Sequence, residues 1–303
     1  MESTDAFAAQ LRRYRLLLRS VVNRADAFEA REMPDTQVQA DRGLALVRQL
    51  NGEPDAAALL LSPPPADAPR TAAADAAGHR RPAYLPLVLA CWLEAAPDDG
   101  RLPGWLEHVW QTRAEGVLAP AGTPAAVGEQ AVAQVWDALV LGVAADRLGR
   151  DDYRVHAADV FARLVSGQTD AGPFLTFDGR DNPEPWWAQE LTILQALTSY
   201  AVRTNDDKAY DAAMRNAEYH LYETQPDHAT AQPWGINGFV LSDSARPMAD
   251  QLMLSMDVNN FGRARGVSLL VIAQALVDVE RRHPGLATAE VSPGRPGAVK
   301  PLP

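Results

Sequence analysis

Apolar positions along this chain recur in steps of three and four. In residues 5–31, Phe7, Leu11, Tyr14, Leu18, Val21, Ala25 and Phe28 fall on one stripe of a long amphipathic helix. A second helix is expected over about 36–50, ending near Asn51 and Gly52. Further helices are predicted over 84–96, 102–114, 126–147, 150–166, 186–204, 207–223, 246–257 and 266–281, with Pro86 in a first turn, where proline is tolerated. No alternating run of β-branched residues between hairpin turns marks a strand. The fold class is therefore all-α.

Two stretches interrupt the helical pattern. Residues 62–82, SPPPADAPRTAAADAAGHRRP, hold three consecutive prolines and little apolar surface, which reads as a linker or mobile loop. Residues 283–303 read as a disordered tail for the same reasons. The expected organisation is an N-terminal helical arm (1–61), the linker (62–82), a main α/α domain (83–282) and the tail. The stripe over 5–31 packs on the rest of the chain or pairs with a second copy.

A faint repeat runs through the main domain. Residues 131–165 read helix, turn LGRDDY, helix; residues 187–223 read helix, turn TNDDKAY, helix. In each, Gly or Asn closes the first helix and acidic residues open the second, as a left-handed C-cap and the helix dipole favour. Tyr153 and Tyr210 take similar places, at an offset of about 57 residues, longer than common short helical repeats. Paired antiparallel helices separated by long loops imply a partial α/α toroid or a helical solenoid; in a toroid the long loops collect at one end.

Composition fits this picture. The chain has 303 residues, 47% hydrophobic and 22% charged, enough for a sizeable core. Alanine is abundant and favours helix. Lys208 and Lys300 are the only lysines, a sign of nucleotide-composition bias rather than phosphate recognition. A net charge of -11 argues against non-specific binding to nucleic acid or anionic membrane. The cluster Arg12, Arg13, Arg15 and Arg19 reads as a solvated helix face. Cys91 is the only cysteine, so no intrachain disulfide or cysteine-based zinc site forms. The apolar run Leu87–Leu93 around it predicts a buried, inert thiol. The N-terminus begins acidic and carries arginines within its apolar part, the wrong order for a signal peptide, and no apolar run is long enough to span a membrane. A soluble cytoplasmic protein is expected.

Candidate chemistry gathers in two stretches. The first, AGPFLTFDGRDNPEPWWAQE over 171–190, crowds Asp178, Asp181, Asn182, Glu184 and Glu190 around Trp186 and Trp187. Acidic residues ahead of a helix cap its free N–H groups, and a tryptophan pair there plugs a core. Carboxylates beside indole faces are also what sugar-binding clefts use, one donating a proton while the other activates water or attacks. The second, EYHLYETQPDHATAQPWGING over 218–238, places Asp227 and His228 in a loop before Gln232 and Trp234. As a structural residue His228 would be hydrogen-bonded; as a base it would need the fold to bring a partner to it. His220 and Glu223 lie three apart on a helix, but the Glu-x-x-His order of di-metal bundles is reversed and occurs once, so no metal is expected.

No GxGxxG after a strand, GxxxxGK[ST], HExxH, GxSxG or DDxxD run is present, so dinucleotide, phosphotransfer, zinc and prenyl-diphosphate chemistry have no support and no cofactor is expected. The runs DNPEPWWAQELTILQALTSYA and ETQPDHATAQPWG, with MADQL downstream, resemble an uncharacterised family of bacterial helical proteins over roughly residues 125–282, a likeness that implies no activity. The helix-pair rhythm also resembles α/α toroids in general, among them glycoside hydrolases, polysaccharide lyases and terpene cyclases, at the level of fold only.

Three functions follow as expectations. The first is a noncatalytic helical-repeat protein binding a protein partner or small ligand where 171–190 and 224–240 meet, with Trp186, Trp187, Gln232 and Trp234 as contacts. The second is a carbohydrate-active hydrolase or lyase using Asp178, Asp181, Glu184, Glu190, Asp227 and His228. The third is a scaffold that oligomerises through the 5–31 helix.

Overall fold

A computed structural model describes residues 6–14, 84–95, 97–100, 102–113, 115, 118, 128–176, 183–223, 233–259 and 266–284. The expected second helix, the linker, most of the tail and the rest of the 5–31 stripe lie outside these residues. Among the described residues there are ten helices and no strand, so the fold is all-α. Residues 6–14 form α1; then come α2 (Tyr84–Ala95), α3 (Leu102–Thr112), α4 (Gly128–Leu148), α5 (Asp151–Gly167), α6 (Glu184–Thr204), α7 (Asp207–Glu223), α8 (Ile236–Leu241), α9 (Arg246–Asn259) and α10 (Gly266–Arg282). No helix among them is long and apolar enough to cross a membrane.

Most boundaries fall where the periodicity puts them, with two differences. Helix α6 starts at Glu184, because Pro185 lies in its first turn, where a missing N–H leaves no hydrogen bond unmade. Helix α8 was not expected: INGFVL is too short to show a period, and its Asn-Gly pair reads as a turn.

The centre of the molecule is α6. Every residue from Glu190 to Val202 is buried, because α4, α7, α8 and α10 pack around it. Trp136 of α4 is fully buried, donates its indole N–H to the Thr192 carbonyl at 3.0 Å and meets Trp234 edge to face at 5.6 Å. Phe161 of α5 stacks on Tyr200 of α6 at 3.9 Å. Cys91 is buried in the same core, and burial raises its thiol pKa well above the ordinary value.

A helix enclosed this way needs partners for most of the polar side chains it buries. Gln195, Ser199 and Arg203 stand one turn apart and face α10 and α8. Gln195 donates to the Val271 carbonyl at 3.2 Å and accepts from the Gly235 amide at 3.1 Å. Ser199 donates to Asp278 at 3.0 Å, and Asn237 donates to the other Asp278 oxygen at 2.9 Å. Arg203 lies between Glu94 of α2 and Asp278 of α10, and Arg281 closes on Glu94 at 2.8 Å. Burial raises the Asp278 pKa, and Arg203, Asn237 and Ser199 reverse that only in part. Burial also pushes Glu94 upward, but Arg203 and Arg281 outweigh it and leave its pKa below the ordinary value.

The two hairpins share a cap. Gly149 and Asn205 are both left-handed, at φ +62° and +52°. The next amide in each case reaches back five residues, Arg150 to the Ala145 carbonyl at 2.9 Å and Asp206 to the Ala201 carbonyl at 3.1 Å. This is the Schellman arrangement, and with a two-residue connection it folds α5 back on α4 and α7 back on α6. Matching the caps corrects the tyrosine pairing. Ala209, not Tyr210, occupies the place of Tyr153, and both are buried at 1% exposure. Asp206 caps α7 through the Ala209 amide at 3.1 Å, whereas the Arg150 side chain turns to Asp152 and Glu107.

Helix α1 is docked on this body. Phe7, Leu11 and Tyr14 are buried in the main core, and the Asp250 carboxylate of α9 accepts hydrogen bonds from Gln10 at 2.9 Å, Tyr14 at 2.6 Å and Arg13. Burial works to raise the Asp250 pKa, but these bonds prevail and hold it below the ordinary value.

Replacing Arg203 by Met would leave Asp278 charged and buried. The expected loss of stability at pH 7 is about 3–5 kcal/mol. An acid whose folded pKa lies above its unfolded one favours the fold below the unfolded value and loses that contribution as pH rises through the folded value. The deficit is therefore expected to be smaller at pH 5 than at pH 7 in urea unfolding, and R203M/D278L to regain part of it. At the second cap, Asn205→Gly should be close to neutral and Asn205→Val should cost about 1–2 kcal/mol, because a β-branched residue resists the left-handed region.

Candidate functional site

The turn at Asn205 and Asp206 makes α6 and α7 a hairpin, so the start of α6 lies beside the end of α7. The loop between α5 and α6 crosses that open end. Its position is fixed by Glu190, whose carboxylate is fully buried and accepts from the amides of Phe174 at 2.9 Å and Leu175 at 2.5 Å, and from Asn216 of α7 at 2.8 Å. The His220 ring nitrogen lies 3.6 Å from the same carboxylate. Gln168 donates to the carbonyls of Gly172 at 2.7 Å and Ala212 at 2.8 Å, tying the loop to α7. Gly172 has φ +117°, and a Cβ there would meet the Tyr219 Cβ at 2.9 Å, so only glycine lets the loop lie this close to α7.

The fixed loop and the two helix ends enclose a cleft of about 450 Å³. The loop contributes Thr169, Pro173, Leu175 and Thr176; the start of α6 contributes Pro183, Trp186 and Trp187; the end of α7 contributes Tyr219 and Glu223. Trp186 and Tyr219 stand at 88° to each other with ring centroids 6.4 Å apart. Burial, then the nearby Glu223 and Glu190, raises the Tyr219 phenol pKa. The Thr169 hydroxyl is engaged by the Pro173 carbonyl at 3.2 Å.

The expected site residues separate into three groups. Trp186 and Trp187 line the cleft. Glu190 and Trp234 are interior: both Glu190 oxygens are taken up by the loop and α7, and Trp234 packs on Trp136. Glu184 is exposed in the first turn of α6 and is not among the cleft-lining residues. Asp178, Asp181, Asp227, His228 and Gln232 lie outside the described residues. The chain joining Thr176 to Pro183, which carries Asp178 and Asp181, leaves and rejoins the described structure at the cleft. Among the described residues no group of three or more His, Cys, Asp or Glu side chains converges on a point. His220 and Glu223 are in different surroundings, the first fully buried beside Glu190 and the second exposed in the cleft.

Tyr219 and Thr169 escaped the sequence reading; Glu223 entered it only beside His220 as an unfavoured metal pair, and Pro173, Leu175 and Thr176 only as part of the 171–190 stretch. The signal for the α7 pair was the hairpin itself. Counting equal steps outward from the turn at 205–206 sets Trp187 beside the last turn of α7.

Glu190→Ala should orphan the Phe174 and Leu175 amides. The expected loss is about 3 kcal/mol in urea unfolding, from one charged acceptor and the buried donors it leaves, with faster hydrogen exchange at those two amides. Glu190→Gln keeps one acceptor oxygen and should cost less.

Compared with protein-family models, with curated proteins and with solved structures, the chain has no match in any of the three.

Proposed function

We propose that this protein is a noncatalytic helical binding protein whose site is the cleft between the 168–176 loop, the start of α6 and the end of α7. One observation carries the reading: three aromatic side chains and two prolines line a cleft whose loop wall is held in place from behind by Glu190. A concave, largely apolar site with few polar groups and a preset wall suits a small molecule or a short segment of a partner. The matched caps of the α4–α5 and α6–α7 hairpins support reading the domain as a partial α/α toroid or solenoid, and the acidic composition suits a soluble cytoplasmic protein.

The alternative is a carbohydrate-active hydrolase or lyase. Glu223 beside two indoles is the observation that favours it. Glycoside hydrolysis in most families requires a second carboxyl about 5–10 Å away, and Glu190, enclosed by backbone amides and Asn216, is poorly placed to supply it. Asp178 or Asp181 would have to do so.

An NMR screen of a fragment library, read at the tryptophan side-chain N–H signals, tests the first reading. Binders are expected to shift Trp186 and Trp187, assigned through W186F and W187F, and to leave the core indoles of Trp136 and Trp234 in place. A library without hits, or hits that move only the core pair, would overturn it. Release of reducing ends or unsaturated sugars from a polysaccharide panel, lost in Glu223→Gln, would bring the enzyme reading forward.

A further inference from the structure

We infer that the cleft receives a proline-rich segment of a partner protein, in the polyproline II conformation and with an arginine set against Glu223. The inference rests on the binding reading above and names the chemistry of the ligand.

The balance of hydrogen-bonding groups carries the argument. Trp187, Tyr219 and Thr176 line the cleft, and among the described residues neither the Trp187 indole N–H nor either hydroxyl has a hydrogen-bond partner. Against these donors stands a single carboxylate, Glu223, and the Thr169 hydroxyl is already committed to the Pro173 carbonyl. An ordinary peptide brings an N–H at every residue and a sugar brings several hydroxyls, which such a surface answers poorly. A proline-rich chain brings acceptors. Proline lacks the N–H, and the polyproline II helix makes no internal hydrogen bonds, so its carbonyls are open to donors. The rest of the lining includes Pro173, Leu175 and Pro183. Pyrrolidine rings pack on a surface of this kind, and aromatic-lined grooves take proline-rich segments in general.

Shape favours an extended and stiff occupant. Tyr222 is 77% exposed and follows Tyr219 by three residues, so the two are neighbours on the surface of α7. The aromatic surface thus continues beyond the residues that line the cleft. The loop wall is preset, because Glu190 holds the amides of Phe174 and Leu175 from behind. A preformed helix loses little freedom against a preset wall. Charge supplies the last element. Glu223 is exposed, is the one charged lining residue, and forms no ion pair among the described residues. A guanidinium meets a carboxylate with two parallel hydrogen bonds, which is why the basic residue of the ligand is assigned as arginine.

The test titrates the full-length chain with the capped peptide Ac-PPPRPPPP-NH2 and two counterparts, one with glycine and serine in place of the prolines and one with glutamate in place of the arginine. The Trp187 indole N–H signal is followed. The proline peptide should bind saturably and shift Trp187, with the glycine-serine counterpart roughly tenfold weaker or more, because a flexible chain must be ordered on binding. The glutamate counterpart should bind several-fold more weakly than the arginine peptide, and Glu223→Gln should remove most of that difference. Tyr222→Ala should weaken the proline peptide several-fold at an unchanged melting temperature. Equal binding of the proline and glycine-serine peptides overturns the polyproline assignment. A glutamate counterpart that binds as well as the arginine peptide overturns the pairing with Glu223. If Pro63→Ala, Pro64→Ala and Pro65→Ala together, or Pro293→Ala with Pro296→Ala, move the Trp187 signal of the peptide-free chain, a segment of the chain itself fills the cleft and the partner assignment falls. Silence toward all three peptides, while fragments from the screen above still shift Trp186 and Trp187, overturns the peptide assignment alone. Silence toward both peptides and fragments overturns the binding reading as well.

Discussion

Burial of α6 on every side is the constraint from which the rest of the structure follows. A helix at the surface can turn its polar residues to water; this one cannot. From Glu190 to Val202 it carries Glu190, Thr192, Gln195, Thr198 and Ser199 inside the protein. Desolvating such groups without partners would cost more than the neighbouring leucines return. Thr192 turns to the Ala188 carbonyl of its own helix, the Thr198 hydroxyl has no hydrogen-bond partner among the described residues, and the neighbours are arranged to answer the rest. Helix α10 brings Gln274 and Asp278, α8 brings Asn237, α2 brings Glu94, and the loop after α5 brings its own amides. Apolar packing makes the assembly compact, and the polar seam on α6 sets which helix lies where and in what register.

The same constraint shapes the site. Glu190 stands where an enclosed helix meets a loop that has no secondary structure of its own to satisfy its amides. Its carboxylate meets both needs at once, and the loop becomes a fixed wall for Trp186 and Trp187. A residue that resembles a catalytic acid by composition thus serves the cleft from behind it, while Glu223, at the far end of the partner helix, faces the open space.

The helices were legible because their apolar periods are long and their caps are chemically marked. Gly149 and Asn205 signalled left-handed C-caps, and both are left-handed. What one sequence could not show was side-chain destination. Glu190 and Glu184 share a charge and lie within two turns of each other, yet one is sealed and the other exposed, because α7 and the loop cover only one side of the helix start. Trp186 and Trp234 look alike in sequence, each beside a proline-bearing turn. Trp234 plugs the core because α4 offers it Trp136, and Trp186 reaches the cleft. Tyr219 went unnoticed because its importance comes from the loop laid across it, a contact that depends on a glycine 47 positions earlier in the chain.

The docking of α1 has a consequence for the order in which the molecule is completed. Its contacts include Asp250 and the ring of His283, residues more than 200 positions further along the chain. Glu94 of α2 likewise waits for Arg281. Helix α1 precedes these partners in the chain and is seated only after them, and α6 emerges with one flank bare until α8 and α10 follow it. During that interval the nascent chain exposes a strip of leucine and glutamine that the finished protein never shows. Seating α8 and α10 on α6 is therefore the step that hides this strip.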